Sequence, residues 1–213
     1  MEGDGGFEWV ETTSQPSYDL GERLDGRTAP AGTNVLVVGP PMAGTRRFGI
    51  ELLACEPNDR PVIVTNRDSA RTIRDEHADS LDGPVGVVDC VTKRGGEPKL
   101  DHPSVRYVGS PADLTGIGME LSELLAGPED RNSDGERVLF DSVSMLLMYS
   151  GTERTSRFLD VVTTRIEERD AFGLFVLNSA AHEEEVYERL RRLFDGVVRL
   201  DGDGVVEADL PEA

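Results

Sequence analysis

The stretch that decides the fold of this chain runs Asn34-Val35-Leu36-Val37-Val38-Gly39-Pro40-Pro41-Met42-Ala43-Gly44-Thr45-Arg46-Arg47. Its first five residues are mostly apolar and β-branched, which is typical of a buried strand. Gly39 and Gly44 then enclose four residues, and an amphipathic segment begins immediately after the second glycine. The stretch therefore predicts a strand, a tight turn and a helix in direct succession.

The turn has the G-x-x-x-x-G spacing of a phosphate-binding loop (P-loop), whose backbone N–H groups hold phosphate oxygens at the mouth of a helix. Two side chains that complete such a loop are missing. Thr45 stands where a lysine would reach the outer phosphates, and Arg46 stands where Ser or Thr would hold magnesium. The candidate nucleotide-binding residues are Gly39, Pro40, Pro41, Met42, Ala43, Gly44, Thr45, Arg46 and Arg47.

Arg46 leaves two interpretations of this turn. A nucleotide such as ATP binds without magnesium, because a guanidinium competes with the metal, and Arg46 or Arg47 supplies the counter-charge. Alternatively, the turn holds no nucleotide and only connects a strand to a helix.

A second motif follows about a hundred residues later. The segment reads Arg137-Val138-Leu139-Phe140-Asp141-Ser142-Val143-Ser144. An apolar strand that ends in a carboxylate followed by hydroxyls has the form of a Walker B segment, whose Asp holds magnesium. Asp141 is therefore the candidate metal ligand if magnesium binds, and its alternative role is that of a helix cap or turn residue.

Strand-like and helix-like segments alternate along the chain. Further strands are predicted over residues 61–65, 85–89, 137–141 and 172–177, and a closing hairpin over 197–201 and 205–209. Helices are predicted over residues 45–54, 69–78, 114–125, 154–170 and 183–194. This alternation predicts an α/β fold with a mainly parallel sheet between two layers of helices.

The remaining segments are assigned by composition. Residues 1–30 mix Gly, Asp, Glu, Ser and Pro with isolated aromatic residues, which predicts a loosely ordered N-terminal arm before a single domain of residues 31–213. Residues 92–103 and 127–135 read as loops. Cys55 and Cys90 have no C-x-x-C spacing and read as buried free thiols.

Five stretches occur in an order and spacing that fit one known family. They are Pro30-Ala31-Gly32-Thr33, Gly39 to Arg46, Val85 to Cys90, Phe140 to Ser144 continuing to Tyr149-Ser150, and Leu193 to Val198. Together they resemble the KaiC-like branch of the RecA-superfamily ATPases, especially a divergent set found in halophilic archaea.

The resemblance implies a three-layer RecA-like P-loop NTPase fold with a mainly parallel central sheet and a C-terminal β-hairpin. It also implies an ATP site at the P-loop edge, often shared across the subunits of a ring. Active relatives carry a Glu at the end of the second strand, where this chain has Asn66, with Asp68 as a poor substitute. His182 lies where relatives sense the γ-phosphate, although a helix-entry histidine is the commoner explanation.

The missing groups at Thr45, Arg46 and Asn66 favour a regulatory or scaffolding protein. Such a protein binds nucleotide weakly or not at all, does not hydrolyse it efficiently, and works with a protein partner or by self-association. The alternative is a nonstandard ATPase, completed by a neighbouring subunit, that uses Arg46 or Arg47 in place of the lysine. Recombinase-like DNA binding rests on superfamily analogy alone.

The composition bears on the salt environment, the binding partners and the cellular location of the protein. Acidic residues number 41 against 22 basic ones, only Lys93 and Lys99 are lysines, and the net charge is −19. This balance favours adaptation to multimolar salt, which screens self-repulsion, over an ordinary acidic cytoplasmic protein. A nucleic-acid surface is disfavoured, since it requires a basic stripe. With neither a membrane span nor a signal peptide in the sequence, a cytoplasmic location is expected.

Overall fold

A computed structural model describes residues 16–54, 56, 58–77, 81, 85–126 and 135–212. Within these residues the strands are β1 (Ser17–Asp19), β2 (Thr28–Pro30), β3 (Asn34–Gly39), β4 (Arg60–Thr65), β5 (Gly86–Asp89), β6 (Val105–Tyr107), β7 (Glu136–Asp141), β8 (Phe172–Asn178), β9 (Gly196–Asp201) and β10 (Gly204–Asp209). The α-helices of the same residues are α1 (Thr45–Leu53), α2 (Ala70–His77), α3 (Thr92–Gly95), α4 (Leu114–Leu125), α5 (Val143–Glu167) and α6 (Glu184–Arg191).

Eight of the strands form one sheet in the order β10-β9-β3-β8-β7-β4-β5-β6. Neighbouring strands from β9 to β6 run parallel, and β10 turns back antiparallel to β9. The predicted closing hairpin is therefore confirmed. Because the parallel strands share one direction, their carboxyl ends meet at a single edge of the sheet, which is where the loop after β3 lies.

Helices cover both faces of this sheet, as the apolar strands require. Successive side chains of β3 alternate between the faces. Leu36 and Val38 pack in the core with α4, α5 and α6, whereas Val35 and Val37 pack in the core with α1 and α2. The predicted three-layer α/β fold is confirmed.

Helix α5 begins much earlier than the predicted boundary at residue 154. Val143, Leu146 and Leu147 are buried at helical spacing directly after Asp141, so the chain is already helical there. Gly151 interrupts the helix with φ 73° and ψ 165°, which hides the periodicity across the break. Although α5 is long, no helix among the described residues is long and apolar enough to cross a membrane.

Other boundaries also differ from the sequence-based expectation. Residues 16–30 of the predicted loose arm form β1, a short 3-10 helix and β2, and Tyr18 and Leu20 are buried; residues 1–15 lie outside the described residues. The predicted loop 92–103 contains α3, while β6 was not predicted.

Cys90 is free and burial raises its pKa to about 12, whereas Cys55 and residues 127–134 are outside the described part.

An ion pair is buried near the amino end of β7, at the edge of the sheet opposite the β3 loop. The Arg137 guanidinium is fully buried, pairs with Asp59, and donates to the Leu52 carbonyl oxygen at 3.0 Å. It also lies 5.1 Å from the ring centre of Tyr18 and 5.7 Å from that of Phe172. Arg137 thereby links α1, the β1–β2 ribbon and the sheet.

We expect Arg137→Ala to lower the free energy of unfolding by about 3–5 kcal/mol, because it leaves Asp59 as a buried charge without its cation. The matched control is Arg47→Ala, which removes the i,i+4 pair between Glu51 and the 81% exposed Arg47 side chain and is expected to cost about 0.5 kcal/mol. Denaturant unfolding measures both. Equal losses in the two variants would show that the buried pair does not stabilise the fold.

Candidate functional site

The loop between β3 and α1 is built on two glycines. A Cβ atom on Gly39 would lie 2.8 Å from Thr45 Cγ2 and 2.9 Å from the Leu200 carbonyl oxygen, so only glycine fits this position. Gly44 adopts a left-handed conformation with φ 79° immediately before the helix. Between them Met42 also has positive φ and is fully exposed.

This loop offers fewer backbone donors than its spacing suggests. Pro40 and Pro41 have no N–H group, and the Ala43 N–H donates to the Pro40 carbonyl oxygen at 3.1 Å. The first turn of α1 still presents N–H groups that have no partner within the helix. An anion could therefore contact the start of α1 but would find few donors in the loop itself.

Arg46 is held by carboxylates at the mouth of α1. Its guanidinium pairs with Asp68; its Nε lies 3.2 Å from Asp141 Oδ2, and its Nη2 lies 3.9 Å from Glu76 Oε2. The side chain is only 18% exposed. We refer to Arg46, Asp68 and Asp141 as the carboxylate clamp.

Asp141 is the buried member of the clamp. Its side chain is 2% exposed, and neither carboxylate oxygen has a hydrogen-bond partner. The 3.2 Å contact with Arg46 Nε is therefore an ion pair without hydrogen-bond geometry. Burial raises the pKa of Asp141, although the nearby Arg46 and Arg67 guanidinium groups act in the opposite direction.

The residues of the clamp do not fit a magnesium ion. Magnesium takes carboxylate, hydroxyl and water oxygens in an octahedral arrangement, but a guanidinium lies against the candidate ligand Asp141 and no hydroxyl stands at position 46. Across the described ranges, no cluster of three or more His, Cys, Asp or Glu side chains could hold a metal ion.

Asn66, at the place of the expected catalytic Glu, has a structural role. Its side-chain amide donates to the Ser142 carbonyl oxygen at 2.9 Å, and its Oδ1 accepts from the Ser142 N–H at 2.8 Å. These two bonds join the carboxyl ends of β4 and β7. Asp68, the suggested substitute base, is committed to Arg46 through its carboxylate and to Thr65 Oγ1 through its backbone.

A cleft of about 670 Å³ opens beside the clamp, between the β3–α1 loop, the start of α5 and the end of β8. Ser144 Oγ in this cleft accepts from the Asn178 N–H at 2.9 Å and ties α5 to β8. His182 also lines the cleft, its Nε2 has no hydrogen-bond partner, and burial lowers its pKa. The cleft brings His182 to the same edge as Asp141 and the loop.

The nine loop residues and Asp141 therefore lie at one edge of the sheet, but the clamp itself was not predicted. The sequence carries no direct signal for it, because Asp68 and Asp141 come together only through the pairing of β4 with β7. The length of the arginine side chain then allows position 46 to reach both. Arg47, in contrast, is 81% exposed and pairs with Glu51 at 2.8 Å.

A family of unknown function, DUF7504, matches residues 32–200, and the chain belongs to this family. The match runs from before β3 to Leu200 in β9 and includes all the residues of the clamp and the loop. No curated protein matches the chain.

Solved archaeal structures share the fold. A KaiC-like protein of Pyrococcus horikoshii is 20% identical over 88% of this chain and 80% of its own, with a TM-score of 0.57. An uncharacterised P. horikoshii protein solved with an unknown peptide is 12% identical over 81% of each chain, with a TM-score of 0.59. The flagellar accessory protein FlaH of Methanocaldococcus jannaschii is 15% identical over 87% of this chain and 80% of its own, with a TM-score of 0.52. The fold is therefore RecA-like.

We expect the stability of the protein to decrease as the pH falls below about 6.5, through the lowered pKa values of His182 and His77. Each folded-state pKa lies below the ordinary value, so the unfolded chain binds the proton more tightly. The contribution is fully present above that ordinary value. Denaturant unfolding at a series of pH values should show a smaller decrease for His182→Gln.

The variant His77→Gln serves as the comparison, because its own contribution is lost and that of His182 remains. A His182→Gln protein with the full pH dependence of the natural protein would contradict the assignment to His182.

Proposed function

We propose that this member of the DUF7504 family is a RecA-like regulatory or scaffolding domain with a degenerate nucleotide site. It binds nucleotide weakly or not at all and does not hydrolyse it efficiently. The observation that carries the proposal is the carboxylate clamp, in which Arg46 stands at the magnesium position and pairs with Asp68 and Asp141.

Charge compensation at the clamp opposes phosphate binding. Arg46 contributes one positive charge, and it is already shared between two carboxylates. Turning Arg46 toward a phosphate would leave Asp141 buried without its cation, which costs on the order of 3–5 kcal/mol. The loop attracts phosphate less than a complete P-loop does, because position 45 is not a lysine and the two loop prolines have no N–H group. Weak binding or none follows from these costs.

Hydrolysis is opposed by a separate loss. Active relatives place a carboxylate base at the end of the second strand, where the amide of Asn66 bonds the Ser142 backbone instead. An amide cannot accept a proton from water at neutral pH. The site therefore lacks both the lysine that would stabilise phosphate charge and a carboxylate base at the end of the second strand.

The alternative, a nonstandard ATPase completed by a neighbouring subunit, has one observation in its favour. Arg47 is 81% exposed, and its pair with Glu51 is of the weak surface kind. It is therefore accessible to a shared site, whereas Arg46 is not.

The setting that we propose is the cytoplasm of a salt-adapted archaeal cell, where the domain acts through a protein partner or through copies of itself. Support comes from the net charge of −19, from the preference for Arg over Lys, and from the archaeal sources of the structural neighbours.

We expect calorimetry in about 2 M potassium chloride, where surface charge is screened, to show a Kd for ATP weaker than about 1 mM. Because no magnesium site is expected, the result should be the same with and without magnesium. ATP turnover, measured as phosphate release, should be absent from the natural protein. Arg46→Ala tests whether any weak binding uses the guanidinium, since such binding should disappear in this variant.

The restoring variant is Thr45→Lys combined with Arg46→Thr, which returns both side chains of the phosphate-binding pattern. Magnesium-dependent binding at least about tenfold tighter than that of the natural protein is expected, equivalent to about 1.4 kcal/mol. Efficient ATP hydrolysis by the natural protein that is lost in Asp141→Ala would overturn the proposal. Turnover that rises with protein concentration and is lost in Arg47→Ala would favour the shared-site alternative.

A further inference from the structure

An apolar groove lies between α4 and the second half of α5, on the face of the sheet opposite α1. Its volume is about 630 Å³, and the floor includes Leu114, Leu121 and Phe158. Met119 and Val161 line it while remaining 60% and 59% exposed. A cleft of this volume with an apolar lining and a few charged groups at its rim has the features of a binding site.

The two glycines of α4 differ in their surroundings. At Gly116, a Cβ atom would lie 2.4 Å from the Asp113 carboxylate, which caps the helix, so a side chain here would displace the cap. At Gly118, the nearest neighbour of a Cβ atom would be Phe158 Cε2 at 3.6 Å. Gly118 therefore leaves the space between the helices unfilled.

The rim of the groove is positive in an otherwise acidic protein. Arg154, Arg157 and Arg165 all line it from α5. Arg157 pairs with Glu153 at 2.5 Å, whereas Arg154 and Arg165 pair with no carboxylate among the described residues. Glu123 stands on the opposite rim, and Arg106 Nε lies 3.7 Å from its carboxylate. A chain of net charge −19 thus presents an arginine edge beside its exposed apolar groove, which suits an acidic apolar occupant.

Residues 1–15 of this chain have that composition. They carry four carboxylates and no Lys or Arg, together with Phe7, Trp9 and Val10. Among all residues outside the described part, Phe7 and Trp9 are the aromatic ones. Aromatic side chains bury about 150–250 Å² each, which makes them effective anchors in a groove.

The position of Pro16 brings this segment to the groove. Pro16 and Arg169 line one cavity at the carboxyl end of α5, and Arg169 donates to the carbonyl oxygen of Leu125, the last residue of α4. Residues 7–15 span up to about 30 Å when extended, and a helix of the length of α4 measures about 18 Å. The segment is therefore long enough to reach into the groove from Pro16.

We propose that residues 1–15 dock within the same molecule into the α4–α5 groove. Phe7 and Trp9 occupy its apolar floor, and the carboxylates of the segment face the arginine rim. Docking covers Val161 and Met119 and makes the segment an occupant that an external acidic partner would have to displace. This inference is independent of the nucleotide site.

Trp9 is the only tryptophan of the chain and reports directly on docking. We expect its emission in the full-length protein to lie at shorter wavelength than in a peptide of residues 1–15, with weaker quenching by acrylamide. Acrylamide is uncharged, so the acidic surface does not repel it. Val161→Asp places a carboxylate in the groove beside the acidic segment, and Trp9 should then become as quenchable as in the peptide.

Val206→Asp is the matched control, because Val206 is 60% exposed but lies on β10, away from the groove. It should leave the emission and quenching of Trp9 unchanged. Peptide-like quenching in the natural protein, or equal effects of the two substitutions, would overturn the proposal. Trp9 protection that disappears on dilution would also overturn it, by showing that the segment docks on a second copy.

Discussion

Asp141 ends a strand that is covered on both faces, so its carboxylate has to be compensated where water has little access. Arg46 supplies that compensation from the first turn of α1, and Asp68 holds the guanidinium from the other side. The arrangement joins the carboxyl ends of β4 and β7 to the loop after β3. A cation that is built into the chain in this way satisfies the local charge without a bound ion.

The opposite edge of the sheet uses the same chemistry for stability. Arg137 pairs with Asp59 in full burial and stacks near Tyr18 and Phe172. Arginine suits both edges, because its planar guanidinium stays charged when buried and contacts several partners at once. The preference of this chain for arginine over lysine is therefore more than a surface property, since the buried Arg137 and the partly buried Arg46 connect separate elements of the fold.

The sequence predicted the sheet because each core strand is a short apolar run with distinct flanking turns. It did not predict β1 and β2, since three-residue strands carry too little periodicity, nor the early start of α5, which Gly151 obscures. Position 46 was recognised as anomalous from the motif alone. Its ion pairs depend on where Asp68 and Asp141 end in space, and spacing along the chain does not contain that information.

The two edges of the sheet limit how this domain can assemble. Strand β10 is interrupted by a register shift between Val205 and Glu207 and carries carboxylates, while β6 at the other edge has only three residues. Neither edge offers a long, flat row of backbone groups for strand addition. Filament growth through a continuous extension of the eight-stranded sheet is therefore disfavoured.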